Sequence, residues 1–306
     1  MDKNRTKDKK DIFPVLLMGS LFVLIYILAL LITAPFEAAG VQPAFENPDN
    51  PMNIVLIFVI MLVFTVLILL IAKYWKKKLI QVIILGAIGY TSAYVFYPLL
   101  TLVIPASAII AIILAVVLVA LLFKYPEWYI IDICGIIIGT GAIAIFGMSL
   151  GILLVIVLLV GLAIYDAISV YKTKHMIDLA DTVMDLKLPV LLVVPKIRHY
   201  SLIKETKSLK QKLKEDEERD AFFLGLGDIV MPGILVTAVY NNIDGSLPIA
   251  LSVILGTLIG FAILMIFVMK GRPQAGLPLL CGGAILGYVI SSLVMFGELR
   301  GLNFSF

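Results

Sequence analysis

The chain has 306 residues, of which 61% are hydrophobic and only 15% are charged, and its mean hydropathy is +1.09. A soluble domain usually carries about 45–50% apolar and about 25% charged residues. This composition excludes a water-soluble globule and predicts an integral membrane protein, whose lipid-facing surface is apolar as well as its core. The net charge of +3 is small, and the basic residues are confined to a few loops. That distribution indicates membrane topology and not a nucleic-acid-binding surface.

Nine apolar segments are long enough to be membrane-spanning helices, which need about 20 mostly apolar residues. The predicted segments are 14–34, 52–72, 79–99, 102–123, 128–147, 149–171, 221–241, 246–269 and 276–297. The fifth and sixth adjoin almost directly, and we place the break between them near Gly147. The sequence therefore predicts an all-α membrane protein with nine transmembrane helices.

The charges of the connecting loops alternate along the chain. Basic residues occur at the N-terminus, in 73–78, at 124, in 270–275 and above all in 172–220, which holds 11 Lys or Arg residues. The intervening loops, 35–51, 97–105, the turn near 147 and 242–245, contain no Lys or Arg. Because cytoplasmic loops are enriched in Lys and Arg, the pattern predicts a cytoplasmic N-terminus and an extracytoplasmic C-terminus.

The long basic loop divides the chain into three parts. These are a six-helix part (1–171), a cytoplasmic hydrophilic loop (172–220) and a three-helix part (221–306). Within the loop, Leu188–Pro195 is a short β-prone apolar run between prolines. It is interpreted either as a re-entrant or strand-forming piece, or as a loop segment on the membrane surface.

The cysteines and histidines do not indicate a metal site or a disulfide framework. Cys134 and Cys281 lie in apolar runs and are expected to be free and buried, as small hydrophobic residues. His175 and His199 lie in the polar loop without ligand-like spacing. We expect neither a metal nor a cofactor.

Three aspartates lie within predicted spanning helices: Asp132, Asp166 and Asp228. An ionisable residue inside the bilayer costs about 2.5–3.5 kcal/mol on insertion scales, so each requires a reason. Asp132 lies only four residues into the fifth helix, and an interfacial or hydrogen-bonding role is the simpler interpretation there.

Asp166 and Asp228 form a matched pair. Asp166 lies five residues before the predicted end of helix six, and Asp228 lies seven residues after the predicted start of helix seven at Ala221. Helices six and seven run in opposite directions, so both carboxylates fall in the cytoplasmic third of the membrane. Consecutive helices are usually neighbours, and the two side chains are expected to face each other.

Helices six to nine contain no Lys, Arg or His in their interiors, so no ion pair is available within them. Two neighbouring carboxyl groups then share a proton. This arrangement suits peptide hydrolysis, in which the ionised acid activates water and the neutral acid protonates the developing oxyanion. The roles of the two aspartates are not separable, because such a pair titrates as a unit.

The residues around Asp228 add to this interpretation. Glycine permits close backbone approach, and Gly225-Leu226-Gly227 directly precedes the acid. Pro232 leaves the carbonyl group of Asp228 without its helical partner. The backbone near the acid is therefore expected to be loosened, which is tolerated in a membrane where it lines a cavity or is covered by protein.

The sequence resembles the presenilin and signal peptide peptidase family. The resemblance is carried by Tyr165-Asp166 in one helix, by Gly225-Leu226-Gly227-Asp228 in the next, and by a proline motif in the last. The family's Pro-Ala-Leu motif corresponds here to Pro278-Leu279-Leu280, with leucine in place of alanine. The resemblance implies an intramembrane aspartyl protease with Asp166 and Asp228 as its catalytic pair.

The same resemblance implies that Tyr165, Gly225, Leu226, Gly227 and Pro278-Leu279-Leu280 shape the active site. It also implies transmembrane helices of single-span proteins as substrates. Such a helix must unwind locally, and pairing with a strand is one way to hold it extended. Leu188–Pro195 or the residues ahead of Asp228 are the candidates for that strand. The small chain and compact loops resemble a prokaryotic, archaeal member in the cell membrane.

Two other functions remain open at this stage. Intramembrane carboxylates also serve as proton or ion relays in transporters, although no internal repeat relates the two halves of this chain. A non-catalytic chaperone or scaffold of the same fold is the third possibility. The natural substrate and the oligomeric state are not predicted.

Overall fold

The computed structural model describes residues 2–74, 77–101, 103–104, 106–173, 191–196, 200–202, 221–269 and 274–302. These residues form nine α-helices: α1 (Asp2–Ala38), α2 (Met52–Tyr74), α3 (Lys77–Thr101), α4 (Ser107–Lys124), α5 (Trp128–Ser149), α6 (Ile152–Ile168), α7 (Leu226–Asn242), α8 (Leu247–Met269) and α9 (Gly276–Phe296). A π-helical turn, Ser169–Thr173, continues α6. Two strands, β1 (Leu191–Pro195) and β2 (Ala221–Gly225), pair in an antiparallel sheet.

The prediction of a helical membrane protein is confirmed. Within the described ranges, seven helices are long and apolar enough to cross a membrane. The other two are α2, whose described side chains include the apolar stretch Met52–Phe64, and α7, which has 17 residues. The count of nine spans and the orientation of the termini stay predictions.

The predicted start of the seventh helix was wrong. Residues 221–225 form β2, and α7 begins only at Leu226. The two phenylalanines in Ala221–Gly225 suit a strand as well as a helix, and the pairing of this segment with β1 decides the outcome. Asp228 therefore lies in the first turn of its helix, not two turns inside it.

The break between the fifth and sixth helices is also displaced from its predicted position. Gly147 is helical, and the extended residues are Leu150 and Gly151. The amide of Gly151 donates to the carbonyl of Pro48 over 2.9 Å. The loop that follows α1 therefore fixes where the break occurs, and this contact is not visible in the local sequence.

Helix α5 is the central element of the bundle. Of its best 18-residue span, 61% is buried inside the protein, against 28–39% for the other six candidate spans. The main core cluster joins α5 to α1, α6, α7, α8 and α9, with Tyr26 and Phe22 of α1 among the fully buried side chains. Both cysteines are free and buried, as predicted.

Helices α8 and α9 approach each other unusually closely because glycines line their contact. A Cβ atom on Gly283 would collide with the backbone of Gly256, and one on Gly260 would collide with the carbonyl of Leu279. Small residues spaced four apart allow helix backbones to touch within a membrane, and Gly256 and Gly260 show this spacing on α8. This contact fixes the position of α9, which carries the proline motif.

The α8–α9 contact yields a direct test with a neighbouring control. Replacing Gly283 by alanine should lower the unfolding free energy by about 1–3 kcal/mol, the usual cost of overpacking. Gly282 precedes it in the same helix, but nothing lies within 4 Å of a Cβ placed there. Thermal unfolding in detergent should therefore show a lower melting temperature for Gly283→Ala than for Gly282→Ala. Equal melting temperatures would contradict the close contact.

Candidate active site

Asp166 is buried near the C-terminal end of α6, with only 4% of its surface exposed. Its Oδ2 atom accepts a hydrogen bond from the backbone N–H of Leu277 over 3.1 Å. Leu277 is the second residue of α9, where backbone N–H groups have no partner within the helix. The carboxylate of Asp166 therefore caps the helix that carries Pro278.

A second contact joins the same two chain segments. The hydroxyl of Tyr171, in the π-helical turn after α6, donates to Oε1 of Gln274 over 2.6 Å. Gln274 lies just ahead of α9. Single π-helical turns occur frequently at functional sites. Here the turn begins three residues after Asp166 and helps to hold the end of α6 against the start of α9.

Asp228 reaches the same place from α7. Its Oδ2 atom lies 3.3 Å from the position that a Cβ on Gly276 would occupy, and 3.2 Å from the corresponding position on Gly225. Gly276 directly precedes Leu277, whose N–H binds Asp166. Consecutive Cα atoms are about 3.8 Å apart, so the two carboxylates converge on one dipeptide, Gly276-Leu277.

The electrostatic setting of the two acids is unusual. They approach the same dipeptide, and helices α6 to α9 contain no Lys, Arg or His. Asp166 faces the N-terminus of α9, and Asp228 lies in the first turn of α7. Helix N-termini carry partial positive charge, so backbone dipoles take the place of a counter-ion. In the described parts of the chain, no three His, Cys, Asp or Glu residues are grouped to hold a metal ion.

The first turn of α7 is held by α1. The hydroxyl of Tyr26, which is fully buried, donates to the carbonyl of Ile229 over 2.9 Å. Ile229 follows Asp228 directly, so this bond fixes the backbone beside the acid. The loosened backbone expected near Asp228 is found as a strand-to-helix junction at Gly225, with Pro232 further along the helix.

Among the described residues, the sheet next to this junction has one edge covered by α5 and one edge without a partner. The N–H of Val193 in β1 donates to Oδ1 of Asp132 in α5 over 2.8 Å, and therefore points away from β2. Val193 is opposite Phe223 in the register. Because backbone groups alternate in direction along a strand, the N–H and C=O of Phe223 point to the outer edge of β2. No hydrogen-bond partner for them is found among the described residues.

The strand-forming interpretation of the run 188–195 is confirmed for Leu191–Pro195, whereas 188–190 lie outside the described residues. His175 and His199 also lie outside them. For Asp132, the hydrogen-bonding interpretation fits its 7% exposure and its bond to Val193.

The remaining residues predicted to shape the site are distributed differently. Leu226 is buried, and its Cδ1 lies 3.3 Å from a Cβ placed on Gly139 of α5. Gly227 is exposed, with nothing within 4 Å of a Cβ placed on it. Tyr165 is 70% exposed, so its ring points away from the buried carboxylate beside it.

The proline motif lies at the contact between α8 and α9. Pro278 is in the first turn of α9, where its missing N–H costs nothing. The carbonyl of Leu279 faces Gly260, and Leu280 is fully buried. The motif therefore packs α9 against α8, and the N-terminus of α9 binds the carboxylate of Asp166.

Three contributors to the site were missed in the sequence. Gly276 and Leu277 directly precede Pro278. Their place next to the proline motif was the only feature of the sequence that could have pointed to them. Tyr26 has no sequence signal, because its partner is 203 residues away.

The chain is similar to known proteins in both sequence and structure. Residues 19–297 match the family model described as signal-peptide peptidase, presenilin aspartyl protease. A solved presenilin family intramembrane aspartate protease, in a C222 crystal form, is 36% identical with a TM-score of 0.70, over 92% of this chain and 99% of that chain. A second, in a P2 form, is 36% identical with a TM-score of 0.67, over 90% and 96%. A search of curated proteins gave no match.

The family match spans most of the chain, and the structural matches extend over nearly the whole of both chains. This protein therefore belongs to the signal-peptide peptidase and presenilin family of intramembrane aspartyl proteases.

Proposed function

We propose that Asp166 and Asp228 are the catalytic pair with which this protease cleaves transmembrane helices. The observation that carries the proposal is the convergence of both carboxylates on Gly276-Leu277. The two acids lie in an apolar bundle, face helix N-termini and have no cationic side chain within helices α6, α7, α8 and α9. Such a pair shares one proton and one negative charge. That is the state from which an aspartyl pair hydrolyses a peptide bond.

The reaction needs only the two side chains and a water molecule. The ionised carboxylate takes a proton from water as the water oxygen bonds to the carbonyl carbon. The neutral carboxyl group donates its proton to the carbonyl oxygen, giving a neutral tetrahedral intermediate. Collapse of the intermediate breaks the C–N bond, and a proton passes to the leaving amine. The pair acts as one titrating unit, so neither role belongs to one residue alone.

We assign the substrate strand to the outer edge of β2. Of the two segments that the sequence suggested, β1 is covered by α5 through Asp132, whereas no partner for the outward groups of Phe223 lies among the described residues. β2 leads directly into Asp228, five residues after Phe223. A substrate unwound into a strand on this edge would run past the carboxylates.

The arrangement in the membrane follows from the loop charges. We propose nine spans with a cytoplasmic N-terminus, divided into the 1–171, 172–220 and 221–306 parts, so that both acids lie near the cytoplasmic face. The short chain and compact loops favour a prokaryotic, archaeal cell membrane. The transporter alternative is not supported, because the matching family and the similar structures are aspartate proteases.

Replacing either aspartate by asparagine should abolish cleavage of a labelled single-span substrate in detergent. Asparagine cannot exchange the proton, so we expect a fall in kcat of at least about 1,000-fold, in line with removal of a residue that acts as one of a catalytic unit. The measurement is product formation by Asp166→Asn and Asp228→Asn.

Asp244 offers a matched control, because it is an exposed aspartate in the loop between α7 and α8. Asp244→Asn should cleave at the wild-type rate. Full activity in either Asp166→Asn or Asp228→Asn would remove the proposed pair.

The two glycines before Asp228 should differ in what they tolerate. A methyl group on Gly225 would press on Oδ2 of Asp228 at 3.2 Å, so Gly225→Ala should displace the carboxylate and lower kcat by about 10-fold or more. A methyl group on Gly227 meets no atom of the described residues within 4 Å, so Gly227→Ala should keep the wild-type melting temperature. Any loss of activity in Gly227→Ala then reports on substrate contact.

Kinetics and thermal unfolding of the two variants, measured side by side, provide the test. A normal kcat for Gly225→Ala would show that Asp228 does not need the glycine beside it.

Strand pairing with β2 makes a prediction with a period of two residues. In a paired substrate, every second amide N–H points toward β2. N-methylation at successive positions near the cleaved bond should therefore block cleavage at every second position. A series of synthetic substrates, each with a single N-methyl group, measures this. Equal inhibition at all positions would exclude pairing at this edge.

A further inference from the structure

The carboxylate of Asp132 lies where the function described so far does not require one. Its side chain is only 7% exposed, between the buried Ile131 and Cys134 of α5. It is not one of the residues that converge on Gly276-Leu277. A buried charge in a membrane helix is expensive and usually marks a functional role. Within the described part of the chain, its carboxylate accepts a hydrogen bond from the N–H of Val193 in β1.

A second contact holds the preceding residue of β1, Leu192, to the same face of α5. A Cβ atom on Gly135 would lie 2.7 Å from Cδ2 of Leu192, so the missing side chain makes room for that leucine. Gly135 follows Asp132 by three residues, which places both on one face of the helix. Two consecutive residues of β1 are therefore held on α5. Asp132 binds the N–H of Val193, and Gly135 leaves space into which Leu192 packs.

The docking of β1 on α5 also affects the position of Asp228, because β1 pairs with β2. The register pairs Val193 with Phe223 and Leu191 with Gly225, so the position of β1 sets the position of the strand that ends at the catalytic helix. Leu226, the first residue of α7, packs against Gly135 and Gly139 of the same α5 face. One face of α5 thus carries β1 and the first turn of α7.

We propose that Asp132 is a positioning residue for proteolysis: its carboxylate fixes β1 on α5 and thereby fixes the height at which the outer edge of β2 presents a substrate to Asp166 and Asp228. This inference rests on the proposed pairing of substrate with β2. Asp132 does not touch the reacting atoms. It covers the outer edge of β1, which leaves β2 as the edge available to a substrate strand.

The decisive comparison is between Asp132→Asn and Asp132→Leu. Asparagine keeps an oxygen that can accept the N–H of Val193, and this variant should stay within about threefold of wild type in kcat/KM. Leucine fills the space without an acceptor. Loss of a hydrogen bond to a charged group corresponds to about a 10–100-fold effect, and we expect that fall in kcat/KM together with cleavage spread over neighbouring bonds.

Three measurements separate positioning from mere stability. Mass spectrometry of the products gives the cleavage positions, hydrogen exchange of 191–196 reports on the docking of β1, and thermal unfolding reports on the fold. Thr140→Val is the matched control, because Thr140 is a buried residue of α5 whose hydroxyl has no hydrogen-bond partner in the described structure. This variant should match wild type in all three measurements.

A second variant disturbs the same contact without touching the charge. Gly135→Ala pushes on Leu192 and should also spread the cleavage positions, so the inference stays testable if Asp132→Leu does not fold. Cleavage at the wild-type bonds by folded Asp132→Leu or by Gly135→Ala would overturn it. A fall in activity that follows the melting temperature alone, without spreading, would overturn it too.

The outcome is separable from that of the proposed catalytic pair. If Asp166→Asn or Asp228→Asn still cleaves, the pair itself is wrong, whatever Asp132 does. If both are inactive and the Asp132 variants cleave as wild type does, only the positioning role is lost.

Discussion

The site depends on the hydrogen bond between the Leu277 N–H and the Asp166 carboxylate. A carboxylate buried among apolar helices needs a source of positive potential, and α6 to α9 offer no cationic side chain. The N-terminus of α9 supplies that potential through backbone groups that have no other partner. Because Asp228 reaches the adjacent Gly276, one helix terminus serves both acids. The site is therefore only as well ordered as the first turn of α9.

Three further contacts hold in place the segments that carry and surround the two acids. Glycines on α8 and α9 let the two backbones touch, and a hydrogen bond from Tyr171 to Gln274 ties the approach to α9 to the end of α6. On the other side, Tyr26 of α1 fixes the carbonyl beside Asp228. The two tyrosine contacts join residues 103 and 203 positions apart in the chain, so the pair of acids exists only in the assembled bundle.

The helices were predictable because each is an apolar run of membrane-spanning length between polar loops, and the two acids were predictable because charge in such a run is rare. The start of α7 was not. Ala221–Gly225 is an apolar, aromatic segment that fits a helix or a strand equally well, and only its pairing with β1 across some 25 intervening residues decides between them. The break at Leu150–Gly151 is likewise set by the loop at Pro48. Asp132 was recognised as unusual, but its partner, Val193, lies 61 residues away.

The open edge of β2 and the substrate present the same physical problem. An unwound segment of a transmembrane helix loses internal hydrogen bonds, and backbone groups without partners are costly away from water. The outward N–H and C=O of Phe223 are in the same position. In the proposed mode of binding, pairing of the two strands would satisfy both sets of groups at once, so part of the cost of unwinding would be recovered beside the two carboxylates. For the described part of the chain, the same argument explains why α5 covers the outer edge of β1. If the outer edge of β1 were also free, a substrate would have a second place to pair, further from Asp228, and would bind there without being cleaved.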